Sequence, residues 1–480
     1  MTKALLLLLT SLICLTCFAQ QNANTENLIY KVLDDNGNKL LKGSKAYSVS
    51  IGIVKDGKTY TKHFGEIEIG TGKKATNETL FEIASVTKVF TGLLMAKAVL
   101  EKKINLEDDI RKYITGSYPN LEFAGNPIRI KDMVSFKTGL DRDLPDNIEL
   151  RKNENDSTAF YCKKLDESYS KMQFFQDLKT VKLDTLPGTV YTYSNLSLQL
   201  SAHILENVYH KSYEILLKEN ILSKAGMTST QLNIPENEKI ANGYNGNHIL
   251  MPHFSNNLWG SQGLLKSTLN DLTKFLLFEL DKKNRFVQES QRNVLNSNQN
   301  WYGYFWDGIE VVDNGKFCHK HGGAYGTQTM FVVYPELNLG ISIIVNISAP
   351  NTYDFLFNTV LEIAEDLKPE SKTDKKLYGY KLSNDKVVFT YTYPMKLDAS
   401  LIKKVSIAGS FNNWNPQDND FQMVSKGHHI FELEFPKTKF EKGKTYVFKF
   451  VINTVGWTTT PKNALNVQDG EDRNLTFKIE

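Results

Sequence analysis

The stretch Phe81-Glu82-Ile83-Ala84-Ser85-Val86-Thr87-Lys88-Val89-Phe90 constrains this chain more than any other. It sets a Ser-x-x-Lys pair at the mouth of an apolar run, Val89, Phe90, Leu93, Leu94, Met95, Ala98 and Leu100, with no Gly or Pro after Gly92. A helix apolar on several faces must be buried on several faces, so the run predicts a central helix with a domain packed around it. Residues i and i+3 lie one turn apart on one face, so Ser85 and Lys88 can touch at the positive end of that helix. A hydroxyl there, with an amine one turn on, has the makings of an activated nucleophile. The same spacing recurs at Ser168/Lys171, Ser383/Lys386 and Ser400/Lys403, and none of those opens a comparable run.

With 480 residues the chain has room for several domains, and 41% hydrophobic against 23% charged residues predicts packed globular structure. A net charge of +3 gives no basis for binding nucleic acid or an anionic membrane. Lys3, the apolar run Ala4 to Leu9 continuing through Leu12, Ile13 and Leu15, and a small-residue end at Cys17-Phe18-Ala19 read as a secretory signal cleaved after Ala19. Export to a bacterial periplasm or the extracellular medium is therefore expected. No stable membrane span is expected beyond that leader. Cys14 and Cys17 leave with it. Cys162 and Cys318 remain, and they suit either one disulfide or two separate thiols.

Alternation at Tyr47 to Val54 and Thr59 to Phe64, joined by Asp56-Gly57, predicts a β-hairpin. After the Ser85 helix come helical stretches from Ile128 and over about Leu196 to Tyr209 and Asn270 to Leu280, with a polar insertion of short helices at 141–180. Tyr302 to Trp306, Gln328 to Tyr334 and Gly340 to Asn346 read as strands, and Tyr353 to Leu367 as a closing helix. This order predicts an α+β domain over 20–367, with an antiparallel sheet drawn from both ends of the segment, flanking helices and a mainly helical subdomain. A polar linker follows at 368–385. Short strands separated by turns then predict a small immunoglobulin-like β-sandwich at 386–480.

A serine nucleophile needs a base, an oxyanion hole and a proton donor for the leaving group. Two further segments suit those needs: Tyr193-Ser194-Asn195 at the entry to a helix, and His321-Gly322-Gly323-Ala324-Tyr325-Gly326-Thr327 just before a strand. Either could be structural alone, since Tyr118/Asn120 repeats the Tyr-x-Asn spacing.

In this order and spacing the three boxes resemble the serine β-lactamase-like family of class C β-lactamases, D-stereospecific peptidases and related esterases. Ile128-Arg129-Ile130-Lys131-Asp132-Met133 with Lys137-Thr138-Gly139-Leu140, Pro187-Gly188, Gly263-Leu264 and Tyr302-Gly303-Tyr304 extend the resemblance over most of 40–365. It implies that Ser85 forms an acyl-enzyme and that Lys88 and Tyr193 share the base role. Asn195, His321, Gly322 and Gly323 would contact substrate, and the N–H groups of Ser85 and Ala324 would form the oxyanion hole. His321 stands where class C β-lactamases have the lysine of Lys-Thr-Gly, which implies that a fixed charge for a substrate carboxylate is lost. Phe136 replaces the family's usual histidine. The implied partner is a small-molecule or peptide acyl substrate, cleaved as an ester or amide without a cofactor or metal. The same site also suits a β-lactamase or an acyltransferase. From a different class, a non-catalytic penicillin-binding-like or glycan-binding protein is the competing reading.

Val405 to Pro416, with Asn412-Asn413-Trp414, then Tyr446 to Asn453, Gly456-Trp457 and Asn474 resemble the glycogen-binding module of the AMP-activated protein kinase β subunit. That implies Trp414 and Trp457 stacking on the sugars of an α-glucan, with Lys449 and Asn474 bonding hydroxyls.

Overall fold

A computed structural model describes residues 25–479, except 141–142, 236–238, 298–300, 313–314, 369–375, 395–398, 428, 462 and 471. The leader at 1–19 lies outside the described residues.

The expected hairpin forms from Ser48–Lys55 and Lys58–Gly65, turned at Asp56 (φ 50) and Gly57 (φ 81). It joins a six-stranded antiparallel sheet. From one side the order is Lys58–Gly65, Ser48–Lys55, Leu339–Val345, Gln328–Tyr334, Gly315–Gly323 and Gly308–Val312. Alternation along these strands supplies two cores. One face buries Val49, Ile51, Met330 and Ile343 beneath the Thr352–Asp366 helix and a helix over 25–44. The other face turns Val54, Phe331, Val333 and Ile344 toward the central helix and the helical subdomain.

The central helix spans Thr87–Leu100, and its residues 87–96 are all buried. The stretch 141–180 forms Ile148–Arg151, Thr158–Ser168 and Lys171–Asp177, short helices as expected. Two points differ from the sequence reading. The helix at 25–44 was unforeseen and packs through Ile29, Val32, Leu33 and Leu40. Tyr302 to Trp306 is no strand: Phe305 adopts φ 61, a bend that buries Tyr304, Phe305 and Trp306 together. The strand comes later, at Gly308–Val312; the His321 to Thr327 box begins on the end of the Gly315–Gly323 strand and, as expected, leads directly into the Gln328–Tyr334 strand. Both remaining cysteines, Cys162 and Cys318, are buried free thiols.

The C-terminal strands form two four-stranded sheets. One runs Tyr380–Leu382, Lys386–Thr392, Ile430–Pro436 and Val424–Gly427, and the other centres on Thr445–Ile452. Phe389, Phe435, Phe448 and Phe477 pack between them. The strand at Tyr380–Leu382 falls within the expected linker, so the sandwich begins before residue 386. Its Gly456 lies against the Val311 carbonyl of the outermost strand of the six-stranded sheet, and Val311 belongs to the sandwich core. Lys368 Nζ donates to Thr459 Oγ1 at 2.9 Å, and Thr459 in turn donates to Glu365. Among the described residues no helix is long and apolar enough to cross a membrane, and no cluster of His, Cys, Asp and Glu could hold a metal.

Candidate active site

Strand Leu80–Glu82 pairs with Lys266–Thr268, and Ile83 N–H donates to Leu265 O at 3.2 Å. The chain must then turn sharply into the central helix. It does so through a 3-10 turn, Ala84–Val86, with Ala84 at φ 43. A non-glycine residue there is strained, by on the order of 1–3 kcal/mol. The strain aims Ser85 into a cleft of about 910 Å³, lined also by Tyr193, Asn195, Asp307 and His321.

Lys88, one turn on, is fully buried. Its Nζ donates to Ser85 Oγ at 2.9 Å and also bonds the Gln262 carbonyl. Tyr193 Oη donates to Ser85 Oγ at 2.8 Å. Tyr193 owes its position to the next residue, because Ser194 caps the Asn195–Tyr209 helix by accepting from Ser197 N–H. The Tyr193 ring stacks on Phe136 at 4.9 Å with 25° between planes. Thr192 N–H donates to Phe136 O at 2.7 Å, which fastens the two segments. Phe136, to which sequence assigned nothing, is therefore the wall behind the tyrosine. Asn195 lines the cleft and donates its amide to Asp143.

The third box is placed differently from expectation. Period-2 alternation sends Cys318, Lys320 and Gly322 to the helical side of the sheet and Phe317, His319 and His321 to the other. His321 packs edge-on to Tyr353 at 5.1 Å, and its Nε2 meets Gln328 Oε1 at 2.9 Å. Burial pushes its pKa down, so it is neutral at pH 7. Lys320, not His321, faces Tyr193, the hydrogen-bond partner of Ser85. It is fully buried, with Nζ 5.0 Å from the Tyr193 ring centre and 5.4 Å from that of Phe136, and it is ion-paired to Asp307. Gly322 then meets the Ser85 turn: a methyl group there would lie 3.1 Å from Ser85 N. The Lys-x-Gly spacing of class C β-lactamases is thus met by Lys320-His321-Gly322, one residue upstream of the sequence reading. The lysine held to be lost is present; burial lowers its pKa and the Asp307 carboxylate opposes that. Lys320 standing two places before a glycine was the signal that could have found it.

The oxyanion-hole assignment shifts with that register. Ala324 N–H donates to Thr327 O at 2.8 Å, so it is committed to the hairpin. Antiparallel ladders alternate bonded and non-bonded pairs. Gly323, opposite Gln328, therefore turns its N–H away from that neighbouring strand. It points to the side where His321 N–H donates to Asp307 Oδ2 at 2.7 Å.

In the sandwich, Trp414 and Trp457 come together with ring centres 6.1 Å apart, and Trp457 is 39% exposed. Lys449 lies on the strand that carries Val451, the residue opposite Trp457, so both side chains leave the same face. Asn474 adjoins Leu475, the partner of Phe448, but its amide is buried and donates to Gln468.

A beta-lactamase family profile matches residues 33–364. Protein flp of Staphylococcus aureus (strain MRSA252) is 27% identical over 317 residues, covering 62% of this chain and 59% of that protein. A beta-lactamase of Escherichia coli (strain K12) is 24% identical over 388 residues, covering 72% of this chain and 94% of that protein. The crystal structure of a beta-lactamase/D-alanine carboxypeptidase from Yersinia pestis, complexed with citrate, shares the fold. Its TM-score is 0.60 at 22% identity, over 72% of this chain and 99% of that one. With its fold and a profile match over most of its length, the chain belongs to the beta-lactamase family.

Proposed function

We propose that the chain is an exported serine hydrolase that forms an acyl-enzyme on Ser85 and cleaves an ester or amide, as an esterase or a D-amino-acid peptidase. One observation carries this reading: Ser85 Oγ is held between Lys88 Nζ and Tyr193 Oη, at 2.9 and 2.8 Å. As Ser85 Oγ bonds to the substrate carbonyl, its proton passes to the Lys88–Tyr193 pair. Tyr193 then delivers a proton to the departing oxygen or nitrogen. Water, activated by the same pair, releases the acyl group. Ser85 N–H and Gly323 N–H are the donors assigned to the oxyanion, in place of the Ser85 and Ala324 pair. Asn195 and His321 line the cleft as substrate contacts. The family membership supports this chemistry.

The test is labelling by a fluorophosphonate probe and turnover of a p-nitrophenyl ester by the purified protein. Ser85→Ala should lose both. Labelling that persists in that variant would sink the nucleophile assignment.

The exposed Trp457 beside Trp414 supports a second, separate role for the sandwich, retention on an α-glucan. Lys449, on the same face, is the hydroxyl contact in that reading. Asn474, already bonded to Gln468, is a weaker candidate.

A further inference from the structure

Lys320 is a buried cation beside the base, yet it does not face the cleft alone. Asp307 stands between them. Its Oδ1 takes Lys320 Nζ and its Oδ2 takes the His321 N–H at 2.7 Å; Asp307 lines the cleft and its side chain is 22% exposed, whereas Lys320 is fully buried. Burial works to raise the Asp307 carboxyl, but the charges of Lys320 and His319 outweigh it and hold it below the usual range. What a substrate meets at this wall is therefore a carboxylate. His321 beside it carries no charge. Among the described residues lining the cleft, Arg151 is the arginine, and it pairs with Glu154 at 3.4 Å.

We infer that Asp307 is a specificity-determining residue: it occupies, as a built-in counter-ion, the place beside Lys320 that a substrate carboxylate would need, so the enzyme takes acyl substrates that carry no carboxylate next to the scissile bond. Like charges brought together at a desolvated wall discriminate strongly, whereas neutral esters meet no such barrier. The inference rests on the serine-hydrolase reading and narrows its substrate class.

The test uses the full chain and one thioester depsipeptide prepared as the free acid and as its methyl ester. The wild type should prefer the methyl ester by about tenfold or more in kcat/KM. Asp307→Asn keeps the shape and an acceptor for His321 N–H but removes the charge, so it should move the preference toward the free acid by about tenfold or more. Asp307→Asn combined with Lys320→Met should lose that gain. A wild-type ratio near one overturns the inference, whether or not the variants fold. So does an Asp307→Asn ratio unchanged from wild type. Turnover of either ester with fluorophosphonate labelling of Ser85 leaves the hydrolase reading standing while the ratio decides this one. Absence of both turnover and labelling brings down the two together.

Discussion

Replacing Gly322 by alanine tests the site where the strand meets the Ser85 turn. A methyl group at Gly322 would fall inside contact distance of the Ile83 carbonyl oxygen and 3.1 Å from the amide nitrogens of Ser85 and Val86. All three obstacles are backbone, so no side chain can rotate out of the way. Non-bonded heavy atoms settle about 3.5 Å apart, so strand and turn must part by roughly 1 Å. A displacement of about that size between reacting groups costs on the order of 10²-fold in rate, or roughly 2.7 kcal/mol of barrier. Overpacking should also lower stability by about 1–3 kcal/mol. The expected result is a kcat for a p-nitrophenyl ester down by roughly 10²-fold, fluorophosphonate labelling slowed in proportion, and a protein that still melts cooperatively. Gly323→Ala is the matched control, because its methyl group would meet only His321 Cε1, at 3.5 Å. That variant should stay within a few-fold of wild type. The reasoning is refuted if Gly322→Ala retains the wild-type rate, or if Gly323→Ala loses as much.

Other perturbations address separate parts of the molecule. Lys88→Met should abolish labelling of Ser85 and cut ester turnover by on the order of 10³-fold or more, while circular dichroism stays native. Glu279 is 1% exposed and donor-poor, accepting from Gln291 Nε2 at 3.0 Å, and burial pushes its carboxyl from 4.5 up to about 8. Between those pH values the folded chain holds a proton that the unfolded chain has shed, so stability falls as pH rises through that window. Glu279→Gln should therefore match wild type below pH 4.5 and exceed it by roughly 3–5 kcal/mol above pH 8 in urea unfolding, and an unchanged difference across pH would contradict it. Trp457→Ala and Trp414→Ala in the full chain should each weaken retention on a glycogen gel by about tenfold with ester turnover intact. Equal retention in both variants removes the glycan role.

The parts legible in sequence were those fixed by local periodicity. The central helix carries its apolar pattern, the hairpin its Asp56-Gly57 turn, and the Asn195–Tyr209 helix its Ser194 cap. Ser85, Lys88 and Tyr193 could be paired before any fold was known, and they meet at hydrogen-bond distance. What was missed depends on register. In Phe317-Cys318-His319-Lys320-His321 the polar and apolar residues do not alternate, because Lys320 is buried by an ion pair. Alternation therefore leaves the face of His321 open, and only the Lys320-x-Gly322 spacing points to it; a one-residue slip exchanges the two faces. Asp307 was missed for a related reason: its role exists only where the bend at Phe305 meets that strand. At Tyr302 to Trp306, aromatic content suggested a strand, but a positive φ at Phe305 lets neighbouring rings bury on more than one side. The 25–44 helix shows the opposite case, a signal that was present at Ile29, Val32, Leu33 and Leu40 but embedded in polar neighbours.

The seating of Gly456 on Val311 bears on how this protein behaves in a crowded solution. Gly308–Val312 ends the large sheet, and a terminal strand exposes a rim of unpaired N–H and C=O groups that can recruit the strand of another copy. Here Trp301 bridges Ile309, and the sandwich closes over Val311 beyond it. Whatever else the C-terminal module does, it stoppers that rim. A chain cut after residue 367 would keep Ser85, Lys88 and Tyr193 and still lose its defence against self-association.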